Sequence, residues 1–206
     1  MSLRIVNLGL PRTGTTTLAR ALRRTGFKVA DYRIGPRQTR DPALRGRFVA
    51  DLLYDSYFAC GDPGTGLGPF TALTEIGLLR EGRSLWPQTD FALIRALRRH
   101  HPDLRFLASN RDGFALSQSM LGWSDLGTRR LPEAAVPGLP QGFGETTKQR
   151  QTWIAGHYAN LRAFFAGDPA FLEYDIADPR APELISAHVG CELAWWGRAN
   201  ASRVAG

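Results

Sequence analysis

Two glycines five positions apart, Gly9 and Gly14, stand directly before three threonines, Thr15, Thr16 and Thr17. The spacing is that of the pattern G-x-x-x-x-G-K-[ST], in which backbone N–H groups wrap a phosphate and the lysine reaches its outer oxygens. Here Thr15 occupies the lysine position, and Arg12 stands three residues before it. Gly14 can take backbone angles closed to other residues. The amides of residues 13–17 would converge at a helix N-terminus, where partial positive charge favours an anion, and the threonine hydroxyls would add donors. The chemistry on offer is anion binding with arginine as the cation. Kinases and NTPases need the lysine together with a magnesium-binding carboxylate. The nearest match to that carboxylate is Asp175, which closes the run FLEYD late in the chain.

Such a loop works only between a strand and a helix, and the flanking residues supply both patterns. Residues 3–8 are an apolar run containing Ile5 and Val6, read as a buried strand that ends at Gly9-Leu10-Pro11. Over residues 15–24, Leu18, Ala21 and Leu22 recur at helical spacing and Gly26 closes the segment. Beyond it, 27–32 reads as a short strand, 33–42 as a proline-bearing loop, 43–59 as a helix and 61–69 as a Gly/Pro turn cluster. Residues 70–84 match no single pattern. A helix is expected over 90–101, with Leu93, Ile94 and Leu97 on one face and Arg98, Arg99, His100 and His101 at the end where cations suit the dipole. A strand follows at 104–109, then a helix from 111 to 122. Residues 128–144, with Pro132, Pro137 and Pro140, read as a long, flexible loop that would cover a substrate. The longest helix is expected over 145–166, marked by Trp153, Tyr158, Leu161 and Phe165, and a strand at 170–174 and a helix at 183–189 complete the chain. Strands alternating with helices predict one α/β domain over 1–206: three layers, a mostly parallel central sheet flanked by helices, of the P-loop nucleotide-binding type. Ligands of such sheets gather at the carboxyl ends of the strands.

Composition narrows the partners. The net charge is +7, yet the first 50 residues hold 11 Lys/Arg against 2 Asp/Glu while the remainder holds 15 against 17, so basicity tracks the loop. A small anionic ligand explains that asymmetry as well as nucleic acid does, and, with 24 of the 26 cations arginine, genome composition is an alternative source of the basic balance. Nucleic acid is not expected, because no helix carries a one-sided basic stripe and no basic and aromatic residues interleave. Cys60 and Cys191 make neither a disulfide framework nor a metal cluster, and no metal site is expected. No signal pattern opens the chain and no apolar stretch approaches the roughly 18 residues of a membrane span, so a soluble, cytoplasmic protein is expected.

The segment P-R-T-G-T-T-T, residues 11–17, resembles the 5′-phosphosulfate loop, P-[KR]-[ST]-G-T-T, of sulfotransferases that use 3′-phosphoadenosine 5′-phosphosulfate (PAPS). In that family the cation sits two residues before the glycine, where Arg12 stands. A second segment, FLASNRDGFALSQS, is similar to the family's 3′-phosphate site, an arginine at a strand end and a serine eight residues later; Arg111 and Ser119 have that spacing, with Ser117 as a competitor. The resemblance covers roughly residues 3–122. Asp112-Gly113 departs from the family's usual Asn-Pro, and its C-terminal Arg-Lys-Gly loop has no clear counterpart; the stretch Trp195-Trp196-Gly197-Arg198-Ala199-Asn200 is a candidate replacement that would stack adenine or add an arginine.

The resemblance implies a sulfotransferase that moves a sulfuryl group from PAPS to a hydroxyl or amine of a small-molecule or saccharide acceptor. It assigns cofactor binding to Arg12, Thr13, Gly14, Thr15, Thr16, Thr17, Arg111 and Ser119, with Arg12 also stabilising charge on the leaving phosphate. Family members use a histidine or glutamate as base. Asp90 occupies the segment where many members place theirs and is the first candidate, although Asp and Thr89 before a helix also suit N-capping; Glu75 and His157 are alternatives. Two other functions compete: a nucleotide kinase or NTPase with a degenerate loop, and a binding protein that has kept the loop without catalysis.

Overall fold

The structure, a computed structural model, describes residues 2–197. In chain order its elements are β1 (Ile5–Asn7), α1 (Thr15–Arg24), β2 (Val29–Ala30), α2 (Val49–Cys60), β3 (Ala72–Leu73), β4 (Leu78–Arg80), β5 (Arg83–Leu85), α3 (Phe91–His100), β6 (Arg105–Asn110), α4 (Gly113–Leu121), α5 (Leu131–Glu133), α6 (Thr147–Phe164), β7 (Phe171–Asp175) and α7 (Ala181–Val189). Five strands form one sheet in the order β2-β3-β1-β6-β7, with each neighbouring pair parallel, and β4 and β5 form a separate antiparallel hairpin. The protein is α/β, with a central parallel sheet flanked by helices.

Parallel strands buried on both faces carry apolar side chains at consecutive positions, and β1 does so with Ile5 and Val6. Each face of the sheet has its own core. On one, Leu18, Ala19 and Leu22 of α1 and Ala181, Ile185 and Val189 of α7 pack against Ile5, Val29, Ala72 and Leu107. On the other, Val6, Leu8, Phe106 and Ala108 meet Leu93 and Leu97 of α3, Leu116 and Met120 of α4, and Tyr158 and Leu161 of α6. At roughly 25 cal/mol per Å2 of buried apolar surface, these two layers dominate the stability of the chain.

The third residue of β1 breaks the apolar rule. Asn7 is fully buried, and its Nδ2 donates to the Thr74 carbonyl at 2.8 Å and to Ser109 Oγ at 3.0 Å while its Oδ1 accepts from the Ser109 amide at 2.9 Å. One side chain thus ties the carboxyl ends of β3 and β6 to that of β1. Buried polar groups this well satisfied fix an arrangement that apolar packing alone leaves loose.

Several expected segments differ in extent. The strand expected over 27–32 is only Val29–Ala30, and the helix expected from 43 begins at Val49, residues 42–46 forming turns. The unassigned stretch 70–84 holds β3 and the β4–β5 hairpin. Residues 128–144 are a packed strap: a wide helical turn over Leu126–Arg130 runs into α5, Val136 bridges Leu139, and Leu131, Val136 and Leu139 are buried. Prolines there shape turns that still bury side chains. Arg150, buried in α6, holds the strap's end by donating to the carbonyls of Gly144 at 2.7 Å and Glu145 at 2.9 Å. No described helix is long and apolar enough to cross a membrane.

Candidate functional site

A cavity of about 1090 Å3 opens at the carboxyl ends of β1, β2 and β3. The β1–α1 loop makes one wall through Pro11, Arg12, Gly14, Thr15, Thr16 and Thr17, and Arg111 and Ser119 close it from the β6–α4 side. Two glycines set the loop's path. A Cβ on Gly9 would lie 2.2 Å from Ser109 Oγ and 2.5 Å from the Ser109 carbonyl, so only glycine lets the chain pass that close to β6. Gly14, with φ 89°, caps α1 in a left-handed conformation that glycine adopts without strain. Arg12 itself has φ 76°, a sparsely populated geometry for a residue with a side chain.

That geometry sends the Arg12 guanidinium across the cavity mouth. Its Nε donates to Ser119 Oγ at 3.2 Å, and its Cζ lies 4.1 Å from the ring centroid of Trp123, a cation–π contact. Burial lowers its pKa, Glu75 opposes that shift and the nearby Arg111 adds to it. The Arg111 guanidinium makes no hydrogen bond or ion pair with another described residue. Ser117, the competitor for Ser119, is fully buried and accepts from Arg150 Nε at 2.8 Å, outside the cavity lining.

Thr13 turns away from the cavity. Its hydroxyl donates to the Leu10 carbonyl at 2.6 Å and meets Ser109 Oγ at 2.7 Å, fully buried, so its side chain shapes the loop from inside. Thr15, at the lysine position of the pattern, donates through Oγ1 to Glu75 Oε2 at 2.8 Å. Glu75 follows β3 and lines the cavity beside Asp31, which follows β2. Burial pushes the Glu75 carboxyl up to about 7; the Thr15 hydrogen bond opposes this, Asp31 adds to it and Arg12 opposes it. A carboxyl poised there exchanges protons at neutral pH.

The other two candidate bases lie elsewhere. Asp90 is the N-cap of α3, its Oδ1 accepting from the Ala92 and Leu93 amides at 3.1 Å each, and, beside burial, its charge helps raise the pKa of the nearby Tyr54 hydroxyl. It does not line the cavity, so the capping alternative describes its contacts and the proton-acceptor alternative has no access to the loop. His157 lines a smaller, largely apolar hollow of about 680 Å3 against α6, together with Phe91, Pro140, Phe143 and Trp153. Burial holds it down at about 4, so it is neutral, and its Nε2–H donates to the Leu8 carbonyl at 2.9 Å. Asp175 ends β7 at the sheet edge, where its Oδ1 accepts from the Ala177 amide at 2.8 Å.

Trp195 and Trp196 pack on the far side of α1. The guanidiniums of Arg20 and Arg24 lie 4.6 and 5.3 Å from the Trp195 ring, and Trp196 meets Tyr174 edge-on. Neither lines the cavity, and Arg198, Ala199 and Asn200 lie outside the described residues.

Sequence reasoning passed over Asn7, Asp31, Trp123 and Tyr158. Tyr158 Oη donates to the Ser109 carbonyl at 2.7 Å and accepts from the Leu10 amide at 3.3 Å, bracing the loop entrance from α6. The one signal available beforehand was Asn7 itself, a polar residue at the end of an otherwise apolar strand. Among the described residues no three His, Cys, Asp or Glu side chains converge as a metal site would. No protein-family model matches the chain, and a search of curated proteins finds no significant match.

Proposed function

We propose that the chain is a sulfotransferase that uses PAPS, that its β1–α1 loop is a phosphate-binding loop of the P-loop type, and that it sulfates a hydroxyl or amine of a small-molecule or saccharide acceptor. One observation carries this reading: Arg12, Arg111 and Ser119, assigned by resemblance to the two ends of one cofactor, line the same cavity as a carboxyl bonded to the loop. The residues suit such a group, with a helix N-terminus and Arg12 for one anionic end and, for the other, Arg111, whose guanidinium has no partner among the described residues.

When bound, the phosphosulfate supplies the sulfuryl group and a leaving phosphate on which negative charge grows. Arg12 and the amides at the start of α1 stabilise that charge. Arg111 and Ser119 hold the 3′-phosphate, and Ser119 also orients Arg12 through its 3.2 Å hydrogen bond. Glu75 accepts the acceptor's proton, the role first assigned to Asp90. Trp86, Leu79 and Tyr32 line the remaining space, where the acceptor would sit.

Glu75 also favours a second reading. It follows β3, the strand beside β1, and touches the loop, so it could serve a nucleotide kinase or NTPase as the magnesium-binding carboxylate. Calorimetric titration separates the two. Micromolar binding of 3′-phosphoadenosine 5′-phosphate that Arg12→Ala and Arg111→Ala each abolish supports the sulfotransferase. Binding of ATP with magnesium alone supports the kinase or NTPase, and bisphosphate binding without transfer to any acceptor supports a non-catalytic binder.

A further inference from the structure

Two carboxyl groups line the cavity just past the ends of adjacent strands. Val29 and Ala30 of β2 pair in register with Ala72 and Leu73 of β3, which sets Asp31 beside Thr74 and next to Glu75. The ladder continues past the strands, with the Thr74 amide donating to the Ala30 carbonyl at 3.2 Å and the Tyr32 amide to the Glu75 carbonyl at 2.9 Å. Thr74 Oγ1 donates to Asp31 Oδ1 at 3.0 Å, and Thr15 Oγ1 donates to Glu75 Oε2. Each acid is thus oriented by a threonine hydroxyl.

We infer that Asp31 is a positioning residue for Glu75: held one strand away on the same cavity wall, it makes Glu75 the stronger proton acceptor. The inference deepens the proposed function, since a proton acceptor at that atom is what the proposed chemistry uses. Like charges held close in a partly dry site cannot both ionise freely, and burial is the first cause that raises both carboxyls. The remaining charges divide the labour. From α1, Arg23 lies 3.9 Å from Asp31 and favours its charged form. From the loop, Arg12 favours ionisation of Glu75. Tyr32 lies beside them, and Arg80 and Glu81 of the hairpin, Arg111 after β6, and Asp125, Arg129 and Arg130 at the start of the strap complete the charged lining. Arg23 therefore opposes the rise that burial gives Asp31, while Asp31 adds to that of Glu75.

The test reads protons directly and needs neither cofactor nor acceptor. Protein labelled with 13C at glutamate carboxyls is titrated by NMR, and the Glu75 signal is identified by its loss in Glu75→Gln. The wild-type midpoint is expected near 7. In Asp31→Asn it is expected to fall by about one pH unit, the effect of deleting a nearby like charge, while Asp31→Glu, which restores the charge, keeps it high. Asp31→Ser serves as a second neutral variant if Asp31→Asn does not fold. An unmoved midpoint in a folded neutral variant overturns the inference, as does an equal fall in Asp31→Glu. So does a wild-type midpoint that magnesium chloride lowers more than sodium chloride at equal ionic strength, which would mark the pair as a cation site. Bisphosphate binding, measured on the same samples, separates the two claims. Its absence in the wild type removes the sulfotransferase reading and leaves the carboxylate pair standing, whereas an unmoved midpoint with intact binding removes the pair alone.

Discussion

Glu75 holds its proton to about pH 7 because its surroundings oppose its charge, and that single fact predicts opposite effects on activity and on stability. Its ordinary value is 4.5, so between that pH and about 7 the native state keeps a proton that the unfolded chain has lost. The stability this group contributes is present at acid pH and lost as pH rises through about 7. Glu75→Gln, which cannot ionise, should therefore raise stability at pH 8 by about 3 kcal/mol and leave pH 4 nearly unchanged, read by urea unfolding at both pH values. If the proposed function holds, the same variant should lose at least 100-fold in kcat while binding the bisphosphate, and wild-type kcat/KM should rise with pH to a plateau above about 7. His157 has the opposite sign. Its depressed value means the unfolded chain takes up a proton that the native state refuses, so its contribution is lost as pH falls from about 6.5 to about 4.

At the scale of elements, the loop between β1 and α1 depends on two contacts that leave no space for a methyl group. Gly14→Ala would place a Cβ 2.5 Å from Ile176 and force a left-handed backbone on alanine. It should cost about 1–3 kcal/mol and, if the proposed function holds, weaken bisphosphate binding at least tenfold by calorimetry. Gly9→Ala meets a backbone carbonyl that cannot move aside and should destabilise the fold by more, with thermal unfolding as the readout. These elements were legible in the sequence to different degrees. The strand, glycine turn and helix up to residue 24 were read with nearly correct bounds, since the helical spacing of Leu18, Ala21 and Leu22 and the glycine positions are local signals. The helix α6 was legible too, and its start at Thr147 follows from the capping box of Thr146 and Gln149. β2 and β3 were not. Strands of two residues carry no periodicity, and the sheet's hydrogen bonds, set by neighbours far along the chain, define them.

For the whole molecule, α6 is the brace between the sheet, the loop and the strap. Tyr158 bonds the ends of β6 and of the loop, His157 bonds the Leu8 carbonyl, and buried Arg150 donates to Ser117 and to two carbonyls of the strap. No ion pair joins Arg150 to a carboxylate among the described residues, so its charge is satisfied by dipoles. Arg150→Ala should cost about 3 kcal/mol by leaving those buried acceptors unpaired, and Arg150→Lys should rescue little because an ammonium cannot span the guanidinium's separate partners; both are read from denaturant midpoints. By itself the sequence determined the α/β class, most helices and the glycine turn that joins β1 to α1, because periodicity and glycine spacing are properties of neighbouring residues. Only the tertiary structure decided which carboxyl reaches the loop. Asp90 answered to its own helix, whose free amides are its nearest donors, whereas Glu75 and Asp31 reached the cavity because the order β2-β3-β1 brings three strand ends together. Strand order is fixed by packing between segments far apart in the chain, and no local pattern encodes it.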